Sequence, residues 1–221
     1  LMKFRKQKFG GMRPVCTGSP ALSVSGGFNL DIVKVKYPIG AVIPEASLAQ
    51  YDEILRKVVV LKASRVVAIN ATDAKKVSLE CDEYLTPIFM VNDHVAKGET
   101  GNFEDTASIE EIKHDRNGYV ITLSKEITGL KVGDALFEVM AGSVEGEGKA
   151  PVVFPVDAPQ GVTNAAEQQG TVVGRDETSV DVTTDSKGAY FYERRIPPIP
   201  EKFIAGHCLK TNPNIQFTKS Y

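Results

Sequence analysis

Apolar residues in this chain come in short β-branched or aromatic stretches, each closed by Gly, Pro, Asn or Asp, and that punctuation leaves little room for helix. Segments 31–37, 57–62, 65–69, 119–123, 135–140, 171–173 and 179–183 alternate apolar and polar residues or run apolar, the period of half-buried or buried strands. They predict a mainly β protein of small β-barrel or sandwich units with little helix. Residues 45–56 admit two readings. Leu48, Tyr51, Leu55 and Val58 recur at helical spacing, whereas 41–44 and 57–61 can be strands with Tyr51, Asp52 and Glu53 in the connection.

At 221 residues the chain has room for one large or two small domains. Residues 142–170 are rich in Gly and Pro and read as linker or loop, which divides the chain into a β domain over 1–141 and a C-terminal β segment over 171–221. In that segment 188–193 reads as a last strand and the prolines from Pro197 to Pro200 hold an extended exit. Pro200 can then open a short C-terminal helix over 201–205 that Gly206 stops. Val91-Asn92-Asp93-His94-Val95 and Val132-Gly133-Asp134-Ala135-Leu136 echo one another and predict two hairpin corners, a weak internal repeat. In each, the Asp side chain is expected to accept from backbone N–H groups just after it.

No aliphatic run approaches the roughly 18 residues needed to span a bilayer, and no export signal opens the chain, so synthesis in the cytoplasm is the expectation. Three distant cysteines, Cys16, Cys81 and Cys208, make a poor disulfide framework and read as reduced thiols. The net charge of −2 is unevenly laid out. Residues 1–30 carry five cations and no acid and residues 201–221 hold net +2, leaving −9 for residues 31–200. Basic ends suit contact with an acidic partner. The acidic body and the absence of tryptophan argue against a nucleic-acid partner.

The motifs of metalloproteases, nucleophile elbows, phosphate loops and dinucleotide folds are missing. His94, His114 and His207 are scattered, and His207-Cys208, the one adjacent pair of base and nucleophile, would point to opposite faces of an extended chain. The acidic clusters Glu80-Cys81-Asp82-Glu83 and Glu104-Asp105 lack calcium-loop spacing, and Asn70-Ala71-Thr72 matches a glycosylation sequon only by pattern. No catalytic residue, metal ligand or cofactor is assigned. What remains is the tract Tyr190, Phe191, Tyr192, Arg194, Arg195, Ile196, Pro197, Pro198 and Pro200, whose aromatic, Arg and Pro composition is that of a contact surface.

Four pieces, in order, carry a resemblance. They are Ser19-Pro20-Ala21-Leu22-Ser23-Val24-Ser25-Gly26-Gly27-Phe28; 37–44 followed by Arg56-Lys57-Val58; Val132-Gly133-Asp134-Ala135-Leu136-Phe137; and Tyr192-Glu193-Arg194-Arg195-Ile196-Pro197-Pro198-Ile199-Pro200. Together the chain resembles the head fibre family of tailed bacteriophages. The resemblance implies a non-enzymatic homotrimer at the virion surface, its N-terminal part, within the 1–141 domain, seated on the major capsid protein. With no sustained heptad or Gly-X-Y stretch, a compact decoration knob fits better than a long shaft. On this reading Arg5, Lys6 and Lys8 form a capsid-contact arm, and Arg194 and Arg195 support subunit association or docking. The competing class is a β-sandwich carbohydrate-binding module or small enzyme domain, which needs an aromatic platform or a concave pocket.

Overall fold

The computed structural model describes residues 13–17, 22–82, 84–115, 118–144, 148–163, 172, 178–186 and 188–219. The protein is mainly β. Its strands are β1 (Cys16–Thr17), β2 (Leu22–Ser23), β3 (Phe28–Leu30), β4 (Leu48–Asp52), β5 (Lys57–Val60), β6 (Ala63–Ile69) and β7 (Lys76–Leu79). They continue with β8 (His94–Ala96), β9 (Ala107–Asp115), β10 (Gly118–Leu123), β11 (Ala135–Ala141), β12 (Val152–Val153) and β13 (Gly161–Thr163). The last are β14 (Ser179–Val180), β15 (Val182–Asp185), β16 (Tyr190–Tyr192), β17 (Ile204–Ala205), β18 (Cys208–Leu209) and β19 (Phe217–Thr218).

Six strands close into an antiparallel barrel in the order β6-β7-β10-β9-β8-β11, because β11 pairs with both β8 and β6. Closure leaves those strands without an open edge. Side chains alternate as a barrel wall requires: Tyr119, Ile121 and Leu123 of β10 are buried, as are Val77 and Leu79 of β7 and Ala107 and Ile109 of β9. Together with Val66, Phe89, Val95 and Leu136 they fill the interior.

The barrel is one pattern used twice. Asn92 N–H donates to the Ile109 carbonyl and Ile109 N–H to that of Asp93; Gly133 N–H donates to the Val66 carbonyl and Val66 N–H to that of Asp134. Val66 of β6 thus corresponds to Ile109 of β9. Register slips at the same place in both hairpins, where Val66 faces Leu79 but Ala68 faces Ser78, and Ile109 faces Leu123 but Glu111 faces Thr122. Val67 and Glu110 are the two bulged residues. Val77 then corresponds to Ile121, and these two are Cα partners, as are the corresponding Ala96 and Phe137 on the opposite wall. A local two-fold axis therefore runs through both pairs and exchanges β6-β7-β8 with β9-β10-β11.

A second sheet, ordered β14-β3-β5-β4-β13-β15-β2, is antiparallel except for β3 and β5, and carries the larger core with Phe28, Leu30, Leu48, Val58 and Val162. β16 lies between β1 and β19, and β17 pairs with β18. The two cores meet at β11, where Leu136 packs into the barrel and Phe137 and Val139 pack into the larger core.

Several expected elements fall elsewhere. Residues 31–37 are not a strand: β3 ends at Leu30, and Asp31 Oδ1 accepts from Val33 and Lys34 N–H, an Asx turn that diverts the chain. Over 45–56 the helical reading fails, and Tyr51 and Asp52 lie within β4 instead of the connection; Tyr51 pairs with Val58 across the hairpin. The C-terminal helix is a single 3-10 turn, Glu201–Phe203, followed by β17, and β16 is followed by β17, β18 and β19. Within 142–170, β12 extends β11 and β13 joins β4 to β15. Residues 171 and 173 lie outside the described residues.

Candidate functional site

The aromatic–Arg–Pro tract faces largely inward. Phe191, Ile196, Pro197 and Pro200 are buried, Tyr190, Tyr192, Arg195 and Pro198 are half-buried, and Arg194 is exposed. Phe191 partners Cys16 and Phe217, and the Arg195 guanidinium stands 4.3 Å over the Tyr192 ring while donating to the Pro14 carbonyl at 3.0 Å. Arg65 of β6 pairs with Glu80 at 3.0 Å and donates to the Glu193 and Ile196 carbonyls. The tract thereby ties the C-terminal segment to the barrel, and a shallow cleft among Pro44, Pro87, Pro197, Pro198 and Glu80 has room for about one water. Arg5, Lys6 and Lys8 lie outside the described residues.

The most unusual chemistry is at the joint between β5 and β6, where Lys62 is fully buried. Its Nζ donates to Asp93 Oδ2 at 2.6 Å and to Glu138 Oε1 at 3.1 Å, and lies 5.5 Å from the centre of the Tyr37 ring. Tyr37, in the connection between β3 and β4, seals the place: its hydroxyl donates to the Val60 carbonyl and accepts from Val60 N–H. Burial raises the Tyr37 phenol well above its ordinary value. Glu138 Oε2 is buried and has no hydrogen-bond partner among the described residues. Burial pushes the Glu138 carboxyl up to about 7, against the pull of the Lys62 charge and with the push of Asp93. Lys62, Asp93 and Glu138 arrive from three elements, so their pairing locks the second sheet, the turn before β8 and β11 to one another.

Asp93 belongs to the first of the two echoing corners, and both corners have the same construction. Asp93 N–H donates to the Met90 carbonyl and Asp134 N–H to that of Lys131, while Asp93 Oδ2 accepts from Met90 N–H and Asp134 Oδ2 from Lys131 N–H. The third residues, Asn92 and Gly133, have φ of 73° and 93°, the left-handed position of a type II turn. The expectation that each Asp binds N–H groups after it is corrected: the carboxylate reaches back three residues, because the following N–H groups belong to the strand ladders.

Among the histidines, His94 Nδ1 lies 2.8 Å from Thr106 Oγ1, whose proton goes to the Phe103 carbonyl, so the ring donates; burial holds His94 below its ordinary value. The His207 ring lies 6.2 Å from the Tyr190 ring, tilted by 33°. His114 Nε2 is 3.6 Å from Cys81 Sγ, a thiol–imidazole contact that sequence spacing gave no hint of, the two being 33 residues apart. The acidic clusters are engaged with cations and backbone: Glu80 with Arg65, Asp82 with Arg13, Glu104 with Lys149. Asn70 Oδ1 of the sequon accepts from Thr72 and Asp73 N–H. Among the described residues no three His, Cys, Asp or Glu side chains form a metal-binding group, and no helix is long and apolar enough to cross a membrane.

On the surface, the tip of the β4-β5 hairpin presents Ile54, 92% exposed, and Leu55, 66% exposed. The tip is held rigidly. Asp52 Oδ1 accepts from both of their N–H groups, and the Arg56 guanidinium, 4.2 Å over the Phe28 ring, donates to the Ser25 and Gly27 carbonyls. Comparison with known protein families, with curated proteins and with solved structures finds no match to this chain.

Proposed function

We propose that this protein is a non-enzymatic particle component that works by contact between folded surfaces, attached to the outside of a tailed-phage capsid as a head fibre or decoration knob and self-associating as a trimer. The observation that carries the reading is the rigid β4-β5 tip, where two large aliphatic side chains are held in water by a capped turn. Such residues gain most when a partner covers them, and a preformed turn loses little entropy on docking. The barrel interior supports the same reading, since its inward positions are filled by aliphatic and aromatic side chains that pack against one another. The ordered run of motifs ending in the Arg-Arg-Ile-Pro-Pro tract supplies the phage capsid as the surface, and Arg194, the exposed member of the tract, and the basic arm of Arg5, Lys6 and Lys8 supply its polar contacts.

Light scattering at micromolar concentration tests the reading. The wild-type chain is expected at three times its 24.0 kDa mass, and the double variant Ile54→Asp/Leu55→Asp is expected to fall to the monomer or to lose occupancy on purified heads. Replacing Arg5, Lys6 and Lys8 by Ala should lower occupancy more at low salt than at high salt. A wild-type monomer that does not bind heads overturns the proposal.

A further inference from the structure

We propose that Cys81 is the reactive thiol of this protein, activated by His114 for exchange with small disulfides, so that the barrel mouth carries a site of reversible covalent modification. The fold makes the pair from distant pieces. Tyr119 of β10 is the Cα partner of both Leu79 at the end of β7 and His114 near the end of β9. The chain leaving β7 sets Cys81 two residues beyond Leu79, on the inward phase of the strand, and the His114 ring lies 5.4 Å from the Tyr119 ring. Cys81 Sγ and His114 Nε2 then meet at 3.6 Å beside that ring. Cys81 is half-buried and His114 is exposed, so a small molecule can reach the sulfur. The internal repeat does not force this contact: the two-fold places Lys125 where Cys81 stands and Ala71 where His114 stands, and the other barrel mouth lacks both groups.

The other thiols make the contrast. Cys16 sits in β1, its thiol pushed up by burial and by Glu45. Cys208 opens β18 directly after His207, which stands in the turn between β17 and β18 with its ring 6.2 Å from that of Tyr190. Chemically, the Cys81 thiol gives its proton to His114 Nε2, and the thiolate attacks one sulfur of the disulfide. The new S–S bond joins Cys81 to that sulfur, the old S–S bond breaks, and its electron pair leaves on the second sulfur as a thiolate. Cys81 is oxidised and one sulfur of the small disulfide is reduced. An imidazole partner favours the thiolate at a pH where an isolated thiol is protonated.

The test is the rate of reaction with dithiodipyridine, a neutral disulfide, followed by the absorbance of the released thiopyridone. In the Cys16→Ser/Cys208→Ser chain, which retains Cys81, the rate at about pH 6 is expected to exceed that of the Cys16→Ser/Cys81→Ser chain, which retains Cys208, by about tenfold or more. Adding His114→Gln to the first chain should remove that advantage and restore the steep rise toward alkaline pH of a free thiol, whose ordinary value is about 8.5. The comparison of the two single-thiol chains keeps His114 intact, so it decides even if His114→Gln impairs folding; circular dichroism reports on that variant. Equal pH profiles for Cys81 and Cys208, or a folded His114→Gln chain with an unchanged profile, overturns the proposal.

Discussion

Two turns of one construction stand at opposite ends of the β8-β11 ribbon, and they differ in almost everything except their backbone. At one end Asp93 meets Lys62 at 2.6 Å, with side-chain exposures of 12% and 0%. At the other Asp134 meets Lys97 at 2.7 Å, with exposures of 28% and 41%. The two-fold relates Glu138 to Lys97, so a carboxylate stands beside Asp93 where a cation stands beside Asp134. Tyr37, from the β3-β4 connection and hydrogen-bonded to Val60 of the second sheet, covers the first end, while the second end is more exposed. What the repeat conserves is the turn and its hydrogen bonds. What the surroundings decide is how much the charges matter, since a surface pair is screened and a buried one is not.

The largest expected effect comes from removing the cation at each end. Lys62→Met leaves Asp93 and Glu138 facing one another without their shared partner and should cost about 3–5 kcal/mol of stability. Lys97→Met should cost about 1 kcal/mol or less, because Asp134 keeps water and the Lys131 N–H. Urea denaturation of both variants checks the pair of values. Similar costs would mean that the covered end is wetter than its geometry implies.

Glu138 gives the next effect and marks the covered end by its pH dependence. Its carboxyl is raised from an ordinary 4.5 to about 7 in the folded chain, chiefly by burial. Between those values the folded protein retains a proton that the unfolded chain gives up, so stability is greatest at low pH and falls as pH rises through the window. The loss is ~1.4 kcal/mol per unit and roughly 3 kcal/mol in all. The groups facing Glu138 are Lys62 from the β5-β6 joint, Asp93 from the turn before β8 and Tyr37 from the connection between β3 and β4. Glu138→Gln, which holds the site in its neutral form, should flatten that slope and leave the protein more stable than wild type near pH 8. Denaturation midpoints at a series of pH values measure it, and an unchanged slope in Glu138→Gln would place the titration elsewhere.

How much of this was legible in the sequence differs between the two levels of the structure. The β class was, because Tyr119-Val120-Ile121-Thr122-Leu123 is a short β-branched and aromatic stretch and the valines of β5 run unbroken to a strand end. The repeat showed only at its two corners. Its hairpins diverge in side chains, and β9 carries Glu110, Glu111, Lys113, His114 and Asp115, all exposed, on a backbone that continues the barrel wall. The strand expected at 31–37 was lost to one Asx turn. The ionic joint was not legible, because a lysine after Val58-Val59-Val60-Leu61 looks like the polar end of a strand. Its partners lie 31 and 76 residues away, and only barrel closure brings them in. The Cys81–His114 contact was hidden for the same reason. The contact tract was visible by composition, but composition does not say which residues face the chain itself, and Arg195 is used on Tyr192 and Pro14.

The smallest expected effect asks whether the two turns are equivalent once their charges are set aside. Asn92 and Gly133 both occupy the left-handed region, at φ of 73° and 93°. A Cβ at Gly133 would meet no atom of the described residues within 4 Å, so Gly133→Ala carries a backbone cost with no steric addition from them. Asn92 is exposed, and Asn92→Ala likewise removes little packing. Each substitution should therefore cost about 1–2 kcal/mol, and the two should agree within about 0.5 kcal/mol, because the left-handed cost belongs to the residue and not to the environment of the turn. Asn92→Gly should be close to neutral. If Asn92→Ala proved several-fold more costly than Gly133→Ala, the covered turn would be transmitting its strain into the Lys62 joint through Asp93, and backbone and charge could no longer be treated as separate at that end.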